Sequence, residues 1–491
     1  MHTRSRSADS DAPYQSLSTR VPTSLEEPTP AAAIQADAPV EEYEDGVPVM
    51  PPLVSPRIRW IHFVLGCAVL LPWNVMITAT PFFLARVKGS SVQNLFSSYL
   101  SVSFTLSNFS FLAHATASTK TTSPARTVQW ATLNIASLNF LLTLSTFFTP
   151  PAGLFAAFVL LSGIAMAAAG SYLQTSVVAV ASLFGPSVMQ SVMSGQAAVA
   201  IVISAVQLLS ATASVHTTDD LLVAAAESDA AAERSARVFF ALSTLFLFCA
   251  AAANAWMTRM SAYKAVVHEP KTQRRAWTRR LSQSLGEERA FFEESEHVTV
   301  PDTKDRILEV ARRNVIYEVA VAYVFVVTLS VYPPITISVR PVSPTFNPLI
   351  FSSMHFLLFN VGDFAGRYLC SFPLLLIWSS KRLLALSLAR TLFIPLFLAC
   401  NVNAGAPTLV NSDFLFFAIL FAFGLSNGYV SSLCMMSAPS LEHNPRLKGR
   451  REDVDIAATV VSFCLVGGLV LGSVASFGVK ATMCRCNPFV G

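Results

Sequence analysis

One stretch of this sequence sets opposite charges where neither is easily tolerated. Asn360-Val361-Gly362-Asp363-Phe364-Ala365-Gly366-Arg367 lies inside an apolar run. A carboxylate and a guanidinium four residues apart share a helical face and can pair. Each costs about 2.5–3.5 kcal/mol at mid-bilayer on insertion scales, so the pair is kept against a large penalty. Two readings follow: an ion pair that ties helices together, or a water-accessible pocket or gate facing a bundle interior. Intramembrane charges usually mark substrate or ion pathways, which favours the second. Asn360 precedes Arg367 by two helical turns and continues the polar stripe. Gly362 and Gly366 lie on an adjacent face and permit close helix approach. The stretch holds no nucleophile beside a base, so catalysis is not expected and the chain is not read as an enzyme.

Three further polar groups interrupt apolar runs. Leu70-Leu71-Pro72-Trp73-Asn74-Val75-Met76-Ile77 combines a helix breaker, a flat aromatic ring and an amide. Pro72 frees backbone carbonyls that a cavity can use. Trp73 beside Asn74 suits stacking on, and edge-reading of, a nucleobase, although an interfacial Trp and a helix-packing Asn account for the same residues. Gly170-Ser171-Tyr172-Leu173-Gln174 and Met193-Ser194-Gly195-Gln196 each set a glutamine in a long apolar run. Such a glutamine needs a partner: a neighbouring helix, water or a ligand. Glu318 and Asp413 fall near the ends of apolar stretches and are read as interfacial, and His355 as a donor of a packing hydrogen bond.

These residues must be positioned by membrane helices. Of 491 residues, 53% are hydrophobic and only 13% charged, about half the charge of an ordinary soluble domain. Disordered, disulfide-rich secreted and nucleic-acid-binding chains are thereby excluded as the main reading. Apolar stretches of spanning length occupy about 60–82, 95–116, 127–148, 153–181, 188–213, 236–258, 313–337, 346–377, 383–402, 413–438 and 456–479. The expected fold is an all-α integral membrane bundle of eleven transmembrane helices. A disordered tail over 1–57 precedes helices 1–6 over 58–258. A basic loop over 259–312 leads to helices 7–11 over 313–482, and a short tail follows over 483–491. With the N-terminal tail cytosolic, 25 of the 34 Lys and Arg fall on inside segments and seven outside, so the positive-inside rule puts the N-terminus in and the C-terminus out. Six of the eight cysteines are scattered in apolar runs as small hydrophobes. Cys484 and Cys486 supply two ligands where a structural metal site needs about four, so no metal is expected.

Taken in order, the motifs resemble the equilibrative nucleoside transporter family over roughly residues 60–480. Leu71-Pro72-Trp73-Asn74 resembles its first-span signature, and Gly170 with Leu173-Gln174 and Ser194-Gly195-Gln196 its fourth- and fifth-span motifs. Asn360 to Arg367 resembles its Asp-x-x-Gly-Arg motif. Arg390 with Pro395, and Ser426-Asn427-Gly428-Tyr429 with Cys434, are similar to its later spans. The resemblance implies a major-facilitator-like bundle, six helices against five, working by alternating access. It implies that Trp73, Gln174, Asp363 and Arg367 line the substrate site, with Gln174 on the base and the ion pair near the ribose. Leu70, Asn74, Ile77, Gly170, Gly195 and Asn360 then support or gate it. Ile77 stands where many members carry Met, Gly362 replaces a usual bulky residue, and Phe364 replaces a common Trp. Ser194-Gly195-Gln196 runs into Ala197-Ala198 where Gly-Leu is usual. These departures bear on base preference.

The expected partners are a nucleoside or nucleobase and the lipid bilayer, in the plasma membrane by preference and the vacuolar or lysosomal membrane as the alternative. No cofactor and no nucleic acid are expected, and no ATP, since no G-x-x-x-x-G-K-[ST] loop occurs in the chain. Equilibrative transport is the primary reading. Proton-coupled uptake with Asp363 as the protonatable group is the runner-up. A membrane receptor or membrane-embedded enzyme is the competing class, which eleven spans and the lack of a catalytic constellation disfavour.

Overall fold

Prolines open several of the helices from which the bundle is built. Pro56, Pro124, Pro186 and Pro348 each sit at a helix start, where the missing N–H would have no intrahelical partner. The structure, a computed structural model, describes residues 55–90, 92–118, 123–215, 221–267, 303–333, 335–343, 346–401 and 409–484. Nearly all of the 1–57 tail, residues 268–302 of the basic loop, and Cys486 lie outside the described residues.

In chain order the long elements are α1 (Pro56–Thr78), α2 (Thr80–Arg86), α3 (Phe96–Ala117), α4 (Pro124–Ser145), α5 (Ala152–Leu183), α6 (Pro186–Val215) and α7 (Leu221–Met257), then α8 (Thr303–Val331), α9 (Pro348–Leu369), α10 (Ser380–Ala389), α11 (Phe393–Leu398), α12 (Asp413–Ser437) and α13 (Val454–Cys484). Among the described residues eight of these helices are long and apolar enough to cross a membrane. The bundle is apolar outside as well as inside. Trp130, Leu161 and Leu209 are each about two-thirds exposed, a surface suited to lipid.

Helices α3 and α4 fall outside the eight because they carry more Ser, Thr and Asn. Several of these side chains return their hydrogen bonds to the helix itself: Thr132 donates to the Val128 carbonyl and Asn134 to the Trp130 carbonyl. The stretch expected over 383–402 is broken. A 3-10 turn, Arg390–Leu392, separates α10 from α11. Pro395 withholds the N–H that would bond Thr391 and crowds its carbonyl. Helix α8 begins well before the apolar stretch expected from 313. Arg306 pairs there with Asp453 at 2.7 Å and Glu452 at 2.9 Å, and this end of α8 docks on the start of α13.

The helices form two halves. In the first, α1 packs on α6, α3 on α5, and α4 on α5 and α7; in the second, α8 packs on α13 and α10, and α9 on α12. Contacts of α6 with α9, and of α5 with α13, join the halves. Closeness within each half depends on glycine. A Cβ on Gly366 would lie 2.0 Å from the Leu425 carbonyl oxygen, and one on Gly428 would lie 1.9 Å from that of Asp363. Gly362 and Gly424 make the reciprocal approaches one turn away. Gly66 and Gly195 do the same for α1 against α6. Because the obstructing atoms are backbone, they cannot swing aside.

This yields a contrast. Gly428→Ala and Gly366→Ala force helices apart and should lose about 1–3 kcal/mol or more. Gly153→Ala, which meets nothing within 4 Å, should be neutral or gain about 0.5–1 kcal/mol. Thermal midpoints of the purified protein in detergent check this order, and equal midpoints for all three would refute the role given to close approach.

Candidate functional site

Asp363 and Arg367 lie one turn apart on α9, each 6% exposed. Arg367 Nε donates to Asp363 Oδ2 at 2.8 Å, which realises the pairing expected at that spacing. The second carboxylate oxygen, Oδ1, accepts from Asn427 Nδ2 of α12 at 2.6 Å. Arg367 also reaches into the other half, donating through Nη1 to the Met193 carbonyl of α6 at 3.0 Å. Gln190 of α6 returns a bond to the Arg367 carbonyl at 3.3 Å. The pair is thus a tie between helices and a seam between halves at once.

Asn360 continues that seam. Its amide donates to Ser204 Oγ at 2.5 Å and to the Ala200 carbonyl at 3.3 Å, both on α6. Moving seven residues along α9, from Asn360 to Arg367, moves the contact back along α6 from Ala200 to Met193, as an antiparallel crossing requires. Gln174 of α5 bonds across the halves at a second helix pair, its Nε2 donating to Ser462 Oγ of α13 at 2.9 Å. Phe109 of α3 stacks on Phe463 of α13 beside it, ring centroids 5.2 Å apart.

The first-span residues gather where α1 meets α3, α5 and α6. Trp73 is half-buried with its ring 4.8 Å from that of Phe104. Asn74 donates to the Leu70 carbonyl of its own helix at 2.9 Å. Leu70 is half-buried and Ile77 is 40% exposed. Gly170 packs beside Pro72, whose ring would stand 3.9 Å from a Cβ there, an ordinary contact distance. Gly195 lets the α1 backbone close on α6, as its Cβ would meet the Phe63 carbonyl oxygen at 2.1 Å. The expected residues therefore fall into two groups, α1 with α5 and α9 with its partners. Helix α6 touches both.

Several participants are absent from the expected set. Asn427, Gln190, Met193 and Ser462 touch it directly, Thr328 at one remove and Arg390 at two, and Asn427 and Arg390 were visible only as parts of later motifs. Asp413 does sit at the start of α12, accepting from the Val342 and Ser343 amides. Glu318 is packed inside the bundle. It is 8% exposed, and its Oε1 has no hydrogen-bond partner among the described residues. The reason is the early start of α8, which carries Glu318 several turns into the packed bundle. His355 bonds Thr336 Oγ1 at 2.7 Å, in keeping with a packing role. No group of three or more metal-ligating side chains occurs among the described residues.

Two structures of the fucose:proton symporter FucP, one from E. coli and one described as a Major Facilitator Superfamily transporter, superpose with TM-scores of 0.53 at 14% and 15% identity, covering 88% of this chain and 94% of theirs. The fold is therefore that of a major-facilitator bundle. The sequence profile described as "Nucleoside transporter" matches residues 160–481, and the chain belongs to that family. Equilibrative nucleoside transporter 1 of Rattus norvegicus is 31% identical over 190 residues, 37% of this chain and 40% of that protein. Equilibrative nucleoside transporter 2 of Mus musculus is 36% identical over 37% of this chain and 39% of that protein. The chain thus spans about two fifths of the length of these curated relatives.

The two directions in which Arg367 donates give a stability test. Arg367→Lys keeps a cation for Asp363 but cannot reach Asp363 and Met193 with one planar fork. It should lose about 1.5–3 kcal/mol, the worth of one hydrogen bond to a charged group. Arg367→Ala strands a buried carboxylate and should lose about 3–5 kcal/mol. Thermal midpoints should fall in that order; a Lys variant as stable as wild type would remove the Met193 bond from the account.

Proposed function

We propose that this chain is a multi-pass membrane carrier that moves nucleosides, and nucleobases as a second substrate class, down their gradient by alternating access to one site between its halves. The observation that carries the proposal is the family match over residues 160–481, which includes Gln174, Asp363 and Arg367. The names of the relatives favour equilibrative transport. In this reading eleven spans cross the plasma membrane with the N-terminal tail in the cytosol, α3, α4 and the α10–α11 pair completing the eight strongly apolar helices. The chain is a carrier and not an enzyme.

Each expected residue takes a role that its contacts permit. Trp73, with Phe104 behind it, offers a ring as the wall for a flat base. Gln174 reads the base edge when its cross-half bond to Ser462 opens. Asp363 and Arg367 receive the ribose hydroxyls, since a carboxylate can accept more than the two bonds it already holds. Leu70, Asn74, Ile77, Gly170, Gly195 and Asn360 shape or gate the path. Equilibrative exchange is preferred to proton coupling through Asp363 because both of its oxygens are engaged by donors.

Counter-flow tests the activity. Proteoliposomes loaded with unlabelled nucleoside should transiently accumulate labelled nucleoside without a proton gradient. Absence of an overshoot across a panel of purine and pyrimidine nucleosides, with the protein folded, would overturn the proposal; accumulation that collapses with a protonophore would replace it by the coupled reading. Trp73→Ala should weaken binding about 5- to 150-fold, the range of one base–aromatic stack. Phe at that position should rescue better than Leu, and equal rescue would reduce Trp73 to a space-filler.

A further inference from the structure

Behind the ion pair lies a second buried cation that the site as described does not use. Arg390 is 2% exposed and sits in the 3-10 turn that interrupts α10 and α11. Its guanidinium lies 4.6 Å from the centre of the Phe423 ring. Nη1 donates to the Phe423 carbonyl at 3.1 Å and contacts Ser426 Oγ. Nη2 donates to Thr328 Oγ1 of α8 at 2.8 Å. Thr328 Oγ1 lies 2.8 Å from Asn427 Oδ1, and Asn427 Nδ2 lies 2.6 Å from Asp363 Oδ1.

The two ends of this chain fix the direction of every bond in it. Arginine has donors only, and an ionised carboxylate has acceptors only. Thr328 must accept from Arg390, so its single hydroxyl hydrogen points away and is shared between Asn427 Oδ1 and the Val324 carbonyl, 2.7 Å distant on its own helix. Asn427 must turn its NH₂ to Asp363 and its oxygen to Thr328. The order of donors thus runs one way from guanidinium to carboxylate, and bonds so aligned strengthen one another. Four elements meet in it: the α10–α11 break, α8, α12 and α9.

We propose that Arg390 is a positioning residue for Asp363, acting through the Thr328 hydroxyl and the Asn427 amide to hold Oδ1 and leave Oδ2 turned toward Arg367 and the ligand. The proposal rests on the reading of Asp363 and Arg367 as the ligand-binding pair, and it adds a specific cause for the carboxylate's orientation. The break at Arg390 thereby gains a purpose, since it aims a guanidinium from a short outer helix into the core of the second half.

Three variants separate positioning from mere structure: Thr328→Val, close in shape and leaving the other Arg390 contacts in place; Arg390→Gln, removing the cation; and Arg390→Lys, keeping it. Each is reconstituted, quantified as folded carrier, and assayed by nucleoside exchange over a range of nucleoside concentrations. The proposal expects Thr328→Val to raise KM on the order of tenfold, the effect of one hydrogen bond to a charged group, with maximal exchange per folded carrier changed far less. It expects Arg390→Gln to raise KM at least as far, because Thr328 loses its charged donor. Arg390→Lys should recover much of the wild-type KM. Unchanged KM in folded Thr328→Val overturns the proposal, whether or not Arg390→Gln folds. A wild type that exchanges no nucleoside would sink the underlying functional reading instead, so the two failures are distinct.

Discussion

A carboxylate and a guanidinium buried on one turn of α9 set the terms for the second half of the bundle. Two charges away from water are worth having only if nearly every donor and acceptor between them is met. Asp363 meets this with Arg367 and Asn427, and Arg367 with Asp363 and the Met193 carbonyl. Those partners come from α12 and α6, so both helices must approach α9 closely. Gly362, Gly366, Gly424 and Gly428 allow the α9–α12 approach, and a side chain at Gly428 would collide with the backbone of Asp363 itself. The glycines follow from the charges: without close approach, Asn427 could not reach Oδ1.

The same geometry suits the proposed alternating access, in which the halves separate and rejoin. Within each half, apolar side chains and glycine-mediated backbone contacts hold helices together. Between the halves, a few polar bonds carry much of the specificity: Arg367 to Met193, Gln190 to Arg367, Asn360 to Ser204, and Gln174 to Ser462. Such bonds can be exchanged for water or for a ligand's hydroxyls at small net cost, whereas opening an equivalent apolar seam would expose surface with no replacement. In the proposed function the residues assigned to the ligand are thus also residues of the seam, and a ligand that took over their bonds would loosen the contact between halves.

Local patterns were legible in the sequence and distant ones were not. The i, i+4 spacing of Asp363 and Arg367 dictates their pairing wherever that helix goes, and Gly362 with Gly366 announced a close neighbour without saying which. The apolar stretches gave the helices, and their ends failed where polar contacts intervened, as where Arg306 and Asp453 extend α8. The line from Arg390 through Thr328 and Asn427 to Asp363 joins residues 62, 99 and 64 positions apart. No periodicity encodes such a line; Arg390 with Pro395, and Asn427 within Ser426-Asn427-Gly428-Tyr429, were its traces in the sequence. Glu318 escaped for a related reason, since its burial depends on how far α8 extends and not on its distance from an apolar boundary.

The central claim is that the ion pair works through asymmetric partners and not through mutual attraction alone. Exchanging the charges, with Asp363→Arg and Arg367→Asp in one protein, tests it most directly. The swapped pair can still form, and so should recover folded carrier relative to the single reversals. It would, however, set a carboxylate against the Met193 carbonyl, an acceptor facing an acceptor, and a guanidinium against the Asn427 NH₂, a donor facing a donor. The account predicts recovered yield and thermal midpoint with nucleoside exchange still absent. Exchange restored to near wild-type rate in the swapped protein would contradict it.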